Sequence, residues 1–376
     1  MNRIYFDNAS TTPIEPRVLD TMYEAMKTQF GNPSSIHYYG RNSRSLIEDA
    51  RKKVANHLKS SIGEIFFTSS ATEANNMVIK NCIEHLGIKR IISSPTEHHC
   101  VLYSIDYLDE HNKCKVDRLP VDQQGNISID ILETWLSESD EPTMVSLMHA
   151  NNEIGTVMPF EKVSELCKKY NALFHCDTVQ TIGKYDIDVS KHYVSFLSAS
   201  AHKFHGPKGI GFLYMNMDNI IPPYIHGGAQ ERNMRAGTEN LHGIIGLAHA
   251  MDIVVKERDA IIKHVSTLRN HFKKRLENEI PDIRFNGNQE DNYLHHVLSV
   301  SFPPSEKANM LMFNLDISGV SASSGSACAS GIENESHVLQ AINHPSDRVT
   351  IRFSFSKFNT LEEVDEVVEI LKKQIH

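Results

Sequence analysis

In SASAHKFHGPKG (Ser198 to Gly209) a lysine, Lys203, follows directly on an apolar run that reads as a β-strand. The carboxyl ends of parallel strands are where open α/β folds hold their ligands. About one βαβ step earlier, ALFHCDTVQ ends another apolar run on Asp177. Alone, Lys203 reads as a surface residue and Asp177 as a helix N-cap or a metal ligand, but no His/Asp cluster at ligand spacing accompanies the aspartate. Together they supply an amine able to form a Schiff base and an acid able to pair with a protonated pyridine nitrogen. Those are the two groups that pyridoxal phosphate most requires of a protein.

Other strand ends offer what the rest of such a cofactor needs. TSSATEANN, where IFFTS turns into a helix, presents Ser70 and Glu73 as a capping box and the amides of Ala71 and Thr72 to an anion. Ser200 and His202 flank the lysine with further donors. In SPTEHHC, His98 falls where a ring could cover a planar cofactor and shuttle protons, and in MVSLMHANNEIG, Asn152 could donate to a phenolic oxygen. A different chemistry is suggested by SSGSACASG (Ser323 to Gly331), whose small residues predict a loop around Cys328. A thiol there is either an incidental linker cysteine or a reagent carried on an arm.

The elements that position these groups show as short apolar runs alternating with helical patterns from about Arg17 into the 250s, the pattern of a parallel sheet covered by helices. Strands are expected at Ile65 to Ser69, Ile91 to Ser94, Met144 to Ala150, Ala172 to Cys176, Val194 to Ala199 and Gly211 to Met215. SRSLIEDARKKVANHL sets Leu46, Ile47, Ala50, Val54 and Leu58 on one helical face. Beyond an apolar segment at Ile244 to Val255 the pattern changes to a long helix from Asp259 to Glu279, apolar runs at His295 to Phe302 and Val349 to Ser356, and a last helix opened by Thr360 and Glu363 as a capping box. The expectation is an α/β large domain over residues 15–255 with a smaller α+β domain made from 1–14 and 256–376.

A chain of 376 residues suits that division, and 40% hydrophobic with 23% charged residues is ordinary for a soluble globular protein. A formal charge of -9 gives no electrostatic reason to expect nucleic acid or an anionic membrane as partner. MNRIYFDNASTTP lacks the apolar core of a secretion signal and no segment approaches a membrane span, so a cytoplasmic protein is expected. Six cysteines (Cys82, Cys100, Cys114, Cys167, Cys176 and Cys328) are scattered without C-x-x-C pairs, which indicates neither disulfides nor a structural zinc site. All but Cys328 read as reduced packing residues.

YFDNASTTP, FGNPSSIHYYGR, TSSATEANN, TEHHC, HANNEIG, HCDTVQ, SASAHKFHGPKG, GGAQERNMRAGTEN, SSGSACASG and IRFSFSKF, in this order and over nearly the whole chain, resemble the group I cysteine desulfurases. These are fold-type I, aspartate-aminotransferase-like pyridoxal phosphate enzymes of aminotransferase class V. The resemblance implies a large domain with a mostly parallel seven-stranded sheet and a smaller α+β domain carrying the cysteine loop. It implies conversion of L-cysteine to L-alanine, with Lys203 bonding the cofactor, Asp177 pairing its pyridine nitrogen, His98 stacking on it, and Gln180 and Asn152 on its phenolic side. Ala71, Thr72, Ser200 and His202 would hold the phosphate, joined by Thr238 from the second subunit of a homodimer. Arg352 would clamp the substrate carboxylate, with Asn32 and Asn152 near it, and Cys328 would take the sulfur as a persulfide. The acceptor implied is an iron–sulfur scaffold or another sulfur-accepting protein, and Cys328 would transiently ligate a cluster shared with a scaffold. Ser70 stands where glycine is usual, which is expected to restrict that turn while adding a hydroxyl.

Overall fold

The computed structural model describes residues 3–324 and 336–375. After a short strand, β1 (Ile4–Tyr5), seven strands form the main sheet: β2 (Ile65–Thr68), β3 (Arg90–Ser93), β4 (Lys115–Arg118), β5 (Thr143–Met148), β6 (Leu173–Asp177), β7 (Phe196–Ser200) and β8 (Gly211–Met215). Their order is β2-β8-β7-β6-β5-β3-β4, and only β8 runs against its neighbours. Every residue of β2, β3, β5, β7 and β8 is buried, because helices cover both faces of a parallel sheet. On one face the helices Tyr38–Leu58 and Leu241–Lys256 pack Ile47, Val54, Ile244 and Leu247 into the core; on the other, Ala71–His85 and His99–Glu110 contribute Met77, Val78, Val101 and Ile105.

Two features of this sheet differ from what the sequence predicts. β4, KVDR, carries no apolar signal because it lies at the sheet edge, bonded on one side only and half in solvent. Ser70 adopts φ -173, extended backbone open to any residue, so the serine imposes no restriction on that turn. The close approach falls instead on Gly211, where a Cβ would lie 2.4 Å from Ala199 O and 2.9 Å from the Ser70 backbone.

A second apolar core lies beyond the sheet. β9 (Arg284–Asn286), β10 (Val297–Phe302) and β12 (Val349–Ser354) form an antiparallel sheet in the order β12-β10-β9, while β11 (Val320–Ser321) pairs with β1 in parallel. Helices Arg258–Glu279 and Leu361–Ile375 lay Leu268, Phe272, Val364 and Val367 on this sheet, where they meet Phe6, Phe353 and Phe355. The last helix opens as expected: Thr360 N–H donates to Glu363 Oε2 at 3.0 Å and Glu363 N–H to Thr360 Oγ1 at 3.2 Å. Phe6 O accepts from Ser354 N–H at 2.7 Å and Ala9 N–H donates to Ser354 Oγ at 2.9 Å. The chain's first residues are thereby stitched to β12 on their way to the main sheet.

Three histidines inside these cores must stay neutral. Burial lowers His149 and His205 to about 4 and His175 to about 3. Each folded-state pKa is depressed, so the unfolded chain binds more protons below its own histidine pKa of about 6.5. The stability these groups confer is complete above that value and is lost as pH falls toward 4. A melting temperature that holds steady above neutrality and declines progressively below about pH 6.5 is expected; calorimetry showing no decline between pH 7 and pH 5 would refute it.

Candidate functional site

A cavity of about 280 Å³ opens at the carboxyl ends of the main sheet. Asp177, the last residue of β6, projects into it, with Oδ2 accepting from Asn75 Nδ2 at 2.8 Å and Oδ1 from Val179 N–H at 3.0 Å. Asn75 lies in the helix Ala71–His85, and its Oδ1 meets His175 Nε2 at 3.0 Å. The other ring nitrogen of His175 meets Ser146 Oγ at 2.8 Å. This chain of bonds fixes the aspartate's orientation from below. Asn75 and His175 were not among the residues singled out from sequence, although Asn75 stands one helical turn after Ala71 in TSSATEANN.

Lys203 follows β7, and its Nζ donates to Ala9 O at 2.7 Å and Ser10 O at 2.8 Å. Arg352, on β12, is 2% exposed. Its Nη1 donates to Asn152 O at 2.9 Å, and Nη2 donates to Asp7 Oδ1 at 2.8 Å and Ser10 Oγ at 2.6 Å. Ser10 therefore touches both cations, one through its carbonyl and one through its hydroxyl. Asp7, which holds the guanidinium, also had no role assigned from sequence; YFDNASTTP, in which it lies, was the available signal. Gln180 Nε2 donates to Ala9 O at 2.9 Å.

His98 caps the helix that follows it: Nδ1 accepts from Cys100 N–H at 3.1 Å, so the neutral ring carries its proton on Nε2. Burial lowers its pKa. Cys100 Sγ lies 3.0 Å from the same Nδ1, and burial, reinforced by Asp177, pushes this thiol up to about 12. It remains a thiol at neutral pH and is no nucleophile, although it lines the cavity.

At the other end, Ala71 N–H already donates to Ser200 Oγ at 2.8 Å, while Thr72 and His202 complete this part of the wall. His202 Nδ1 lies 3.1 Å from Thr11 Oγ1, and burial lowers the ring to about 4. The capping box expected of Ser70 and Glu73 does not form: Ser70 makes no side-chain cap, and Glu73 accepts from Ser69 N–H at 2.9 Å while pairing with both arms of Arg235 at 2.8 and 3.1 Å. The guanidinium outbids the reciprocal bond to the cap because it brings charge and a two-pronged fit. Two expected residues lie apart from the cavity. Asn32 is exposed, its Oδ1 accepting from Ser34 N–H at 2.9 Å, and Thr238 lines a separate hollow of about 180 Å³ with Arg235 and Glu231. Cys328 lies outside the described residues.

The sheet order and a lysine, aspartate and histidine converging at its carboxyl ends are those of a fold-type I pyridoxal phosphate enzyme. A solved structure described as a NifS-like protein superimposes with a TM-score of 0.91 at 39% identity, over 99% of this chain and 98% of that one. The chain belongs to the aminotransferase class-V family, whose model matches residues 4–367. It is 42% identical to a cysteine desulfurase IscS of Dictyoglomus turgidum over 99% of this chain and 94% of the relative. A structure of SspA in complex with cysteine aligns with a TM-score of 0.81 at 32% identity, over 95% of this chain and all (100%) of that one.

The residues present fit pyridoxal phosphate. Gln180 and Arg352 line the cavity, and among the described residues their buried Oε1 and Nε have no partner; an unpaired buried polar group costs about 1–3 kcal/mol. The wall is thus built for an occupant rich in hydrogen-bonding groups. A fixed carboxylate, a ring, a lysine amine and a helix start with nearby hydroxyls are the donor set that this cofactor's ring nitrogen, face, aldehyde and phosphate call for.

Proposed function

We infer that the protein is a pyridoxal phosphate-dependent cysteine desulfurase, which converts L-cysteine to L-alanine and passes the sulfur onward. The observation that carries this reading is the pair of cations bracketing Ser10: Lys203 at its carbonyl and Arg352 at its hydroxyl. An α-amino acid presents an amine, which can take the place of the lysine's on the cofactor, and a carboxylate for the guanidinium. The family, the IscS relative and the cysteine complex of SspA support the choice of amino acid. L-Alanine released from L-cysteine is the test, and a protein that instead exchanges amino groups with a keto acid would be an aminotransferase.

In this reading Lys203 would bond the cofactor, Asp177 would pair the pyridine nitrogen, and His98 would cover the ring. Gln180 and Asn152 would face the phenolic oxygen, and Ala71, Thr72, Ser200 and His202 the phosphate. Bound pyridoxal phosphate would supply an electron sink for charge at the substrate's Cα. Lys203 Nζ would take the Cα proton, and His98, with its Nε2–H, would hand protons at the ring face. Arg352 would hold the carboxylate through donors left after Asp7, Ser10 and Asn152 are satisfied. The Cys328 thiolate would attack the substrate sulfur. An S–S bond forms, the C–S bond breaks, its electron pair goes to carbon, and protonation there gives alanine; no outside oxidant is needed.

Replacing Arg352 by Lys is expected to raise the KM for L-cysteine roughly 10- to 100-fold, the value of charged hydrogen bonds, with a smaller change in kcat. One ammonium cannot serve Asp7, Ser10, Asn152 O and a carboxylate together. Steady-state kinetics check this; an unchanged KM would remove Arg352 from the substrate site.

The domain division proposed is 15–255 against 1–14 with 256–376, the two meeting where residues 7–10 cross the cavity. A homodimer is proposed because Thr238 stands apart from its own chain's cavity and because Leu19, Tyr23, Met26 and Phe30 expose one apolar stripe at 54–72%. A fully active monomer in light scattering would rule it out. Among the described residues no helix is long and apolar enough to cross a membrane, and the proposed setting is the cytoplasm. The proposed acceptor is an iron–sulfur scaffold or a tRNA-thiolation protein, with Cys328 sharing a cluster ligand position in the first case.

A further inference from the structure

Cys100 lines the cavity together with His98 and Asp177, and the chemistry proposed so far gives it no task. Its sulfur touches two residues that build the site. Sγ lies 3.0 Å from His98 Nδ1 and 3.3 Å from Asn75 Nδ2. The same Asn75 Nδ2 donates to Asp177 Oδ2 at 2.8 Å.

The direction of each bond is fixed by its partners. A carboxylate oxygen accepts, so the Asn75 atom facing Asp177 is the amide nitrogen, and its two hydrogens serve the carboxylate and the sulfur. Asn75 Oδ1 in turn accepts from His175 Nε2 at 3.0 Å. His98 Nδ1 accepts the Cys100 backbone N–H at 3.1 Å and so has no hydrogen to give; the proton in its contact with the sulfur is the thiol's. Burial keeps that proton in place, pushing the thiol up to about 12. Donation therefore runs one way, from His175 to Asn75, from Asn75 to Cys100 and from Cys100 to His98. The neutral ring is left with Nε2–H as its one proton to give.

We propose that Cys100 is a positioning residue for His98: its S–H donates to Nδ1 while its sulfur accepts from Asn75, which ties the ring to the amide that orients Asp177 and keeps it neutral with the proton on Nε2. This rests on the reading of His98 as the residue that hands protons at the cofactor's face. A ring taking a proton on Nδ1 would have to turn away both the thiol and the backbone amide. The surrounding charges act on the ring as well: Asp177 favours its protonation, and Lys203 and His337, the latter with Nε2 2.9 Å from Glu97 O, oppose it. His99 stands edge-on with centroids 6.2 Å apart, and Glu97, next in sequence, is buried with its carboxyl pushed well up. All of these are shared by the wild type and by variants at Cys100, so a difference among those proteins reports the thiol.

Cys100→Ser and Cys100→Ala leave side chains of nearly the same size, and only the first offers a donor. NMR of the cofactor-loaded protein with ring-labelled histidine, the His98 signal assigned from His98→Gln, follows the ring directly. Cys100→Ala is expected to raise the pH at which His98 titrates by roughly half to one pH unit, the worth of one neutral hydrogen bond. It should also lower kcat for alanine release by about 2- to 10-fold with KM unchanged. Cys100→Ser should restore most of both. The two variants behaving alike would show that the sulfur only fills space, and a ring titration unmoved in Cys100→Ala would show that the backbone amide alone holds Nδ1; either overturns the proposal. Protein that releases no alanine from L-cysteine would overturn the desulfurase reading, and the ring titration would still decide the task of Cys100.

Discussion

Lys203→Ala loses turnover by about 10⁴-fold or more, the upper end of what one positioned proton-transfer group contributes, because the same amine would also anchor the cofactor. The fold survives. Lys203 Nζ bonds to the carbonyls of Ala9 and Ser10, and these sit at the cavity rather than in either apolar core, so removing the amine leaves the packing of both cores untouched. The melting temperature is expected to move by only a few degrees. Borohydride reduction of the wild type followed by peptide mapping should find the cofactor on Lys203. Attachment to any other lysine, Lys184 or Lys208 for instance, would show that the wrong strand end has been chosen.

Cys328→Ala is expected to be equally silent in turnover for a different reason. Its cavity is intact, so it should bind L-cysteine with the wild-type spectral change yet release no alanine, since no thiolate is present to take the sulfur. The other cysteines cannot substitute. Cys82, Cys167 and Cys176 are buried, which raises their thiols far above neutrality, and burial lifts Cys114 to about 11 and Cys100 to about 12. The nucleophile is the thiolate, and an unperturbed cysteine titrates near 8.5. Alanine released by the variant at more than about a hundredth of the wild-type rate would mean that another group accepts the sulfur.

What the sequence displays and what it conceals follow from where each contact lies. β5, β6 and β7 are buried on both faces, so burial writes each of them as an apolar run, and Asp177, Lys203 and His98 are visible because each stands at or just beyond the end of such a run. β4 is buried on neither face and leaves no such trace. Asp7 is separated from Arg352 by 345 residues, Asn75 from Asp177 by 102, and His337 from Glu97 by 240. No local spacing records a bond between segments so far apart. The Ser70 capping box shows the opposite failure: the pattern was present, but Arg235, from 162 residues away, claims Glu73. Short-range rules hold until a distant charge offers a better partner.

The central claim is that this chain moves sulfur from L-cysteine onto one of its own cysteines. Peptide mass spectrometry of the cofactor-loaded protein after brief incubation with L-cysteine tests it most directly. One added sulfur on Cys328, with an equal amount of L-alanine in solution, is the result this account predicts. Added sulfur on Cys100 or Cys114 with Cys328 unmodified, or alanine formed while every cysteine stays unmodified, would contradict it.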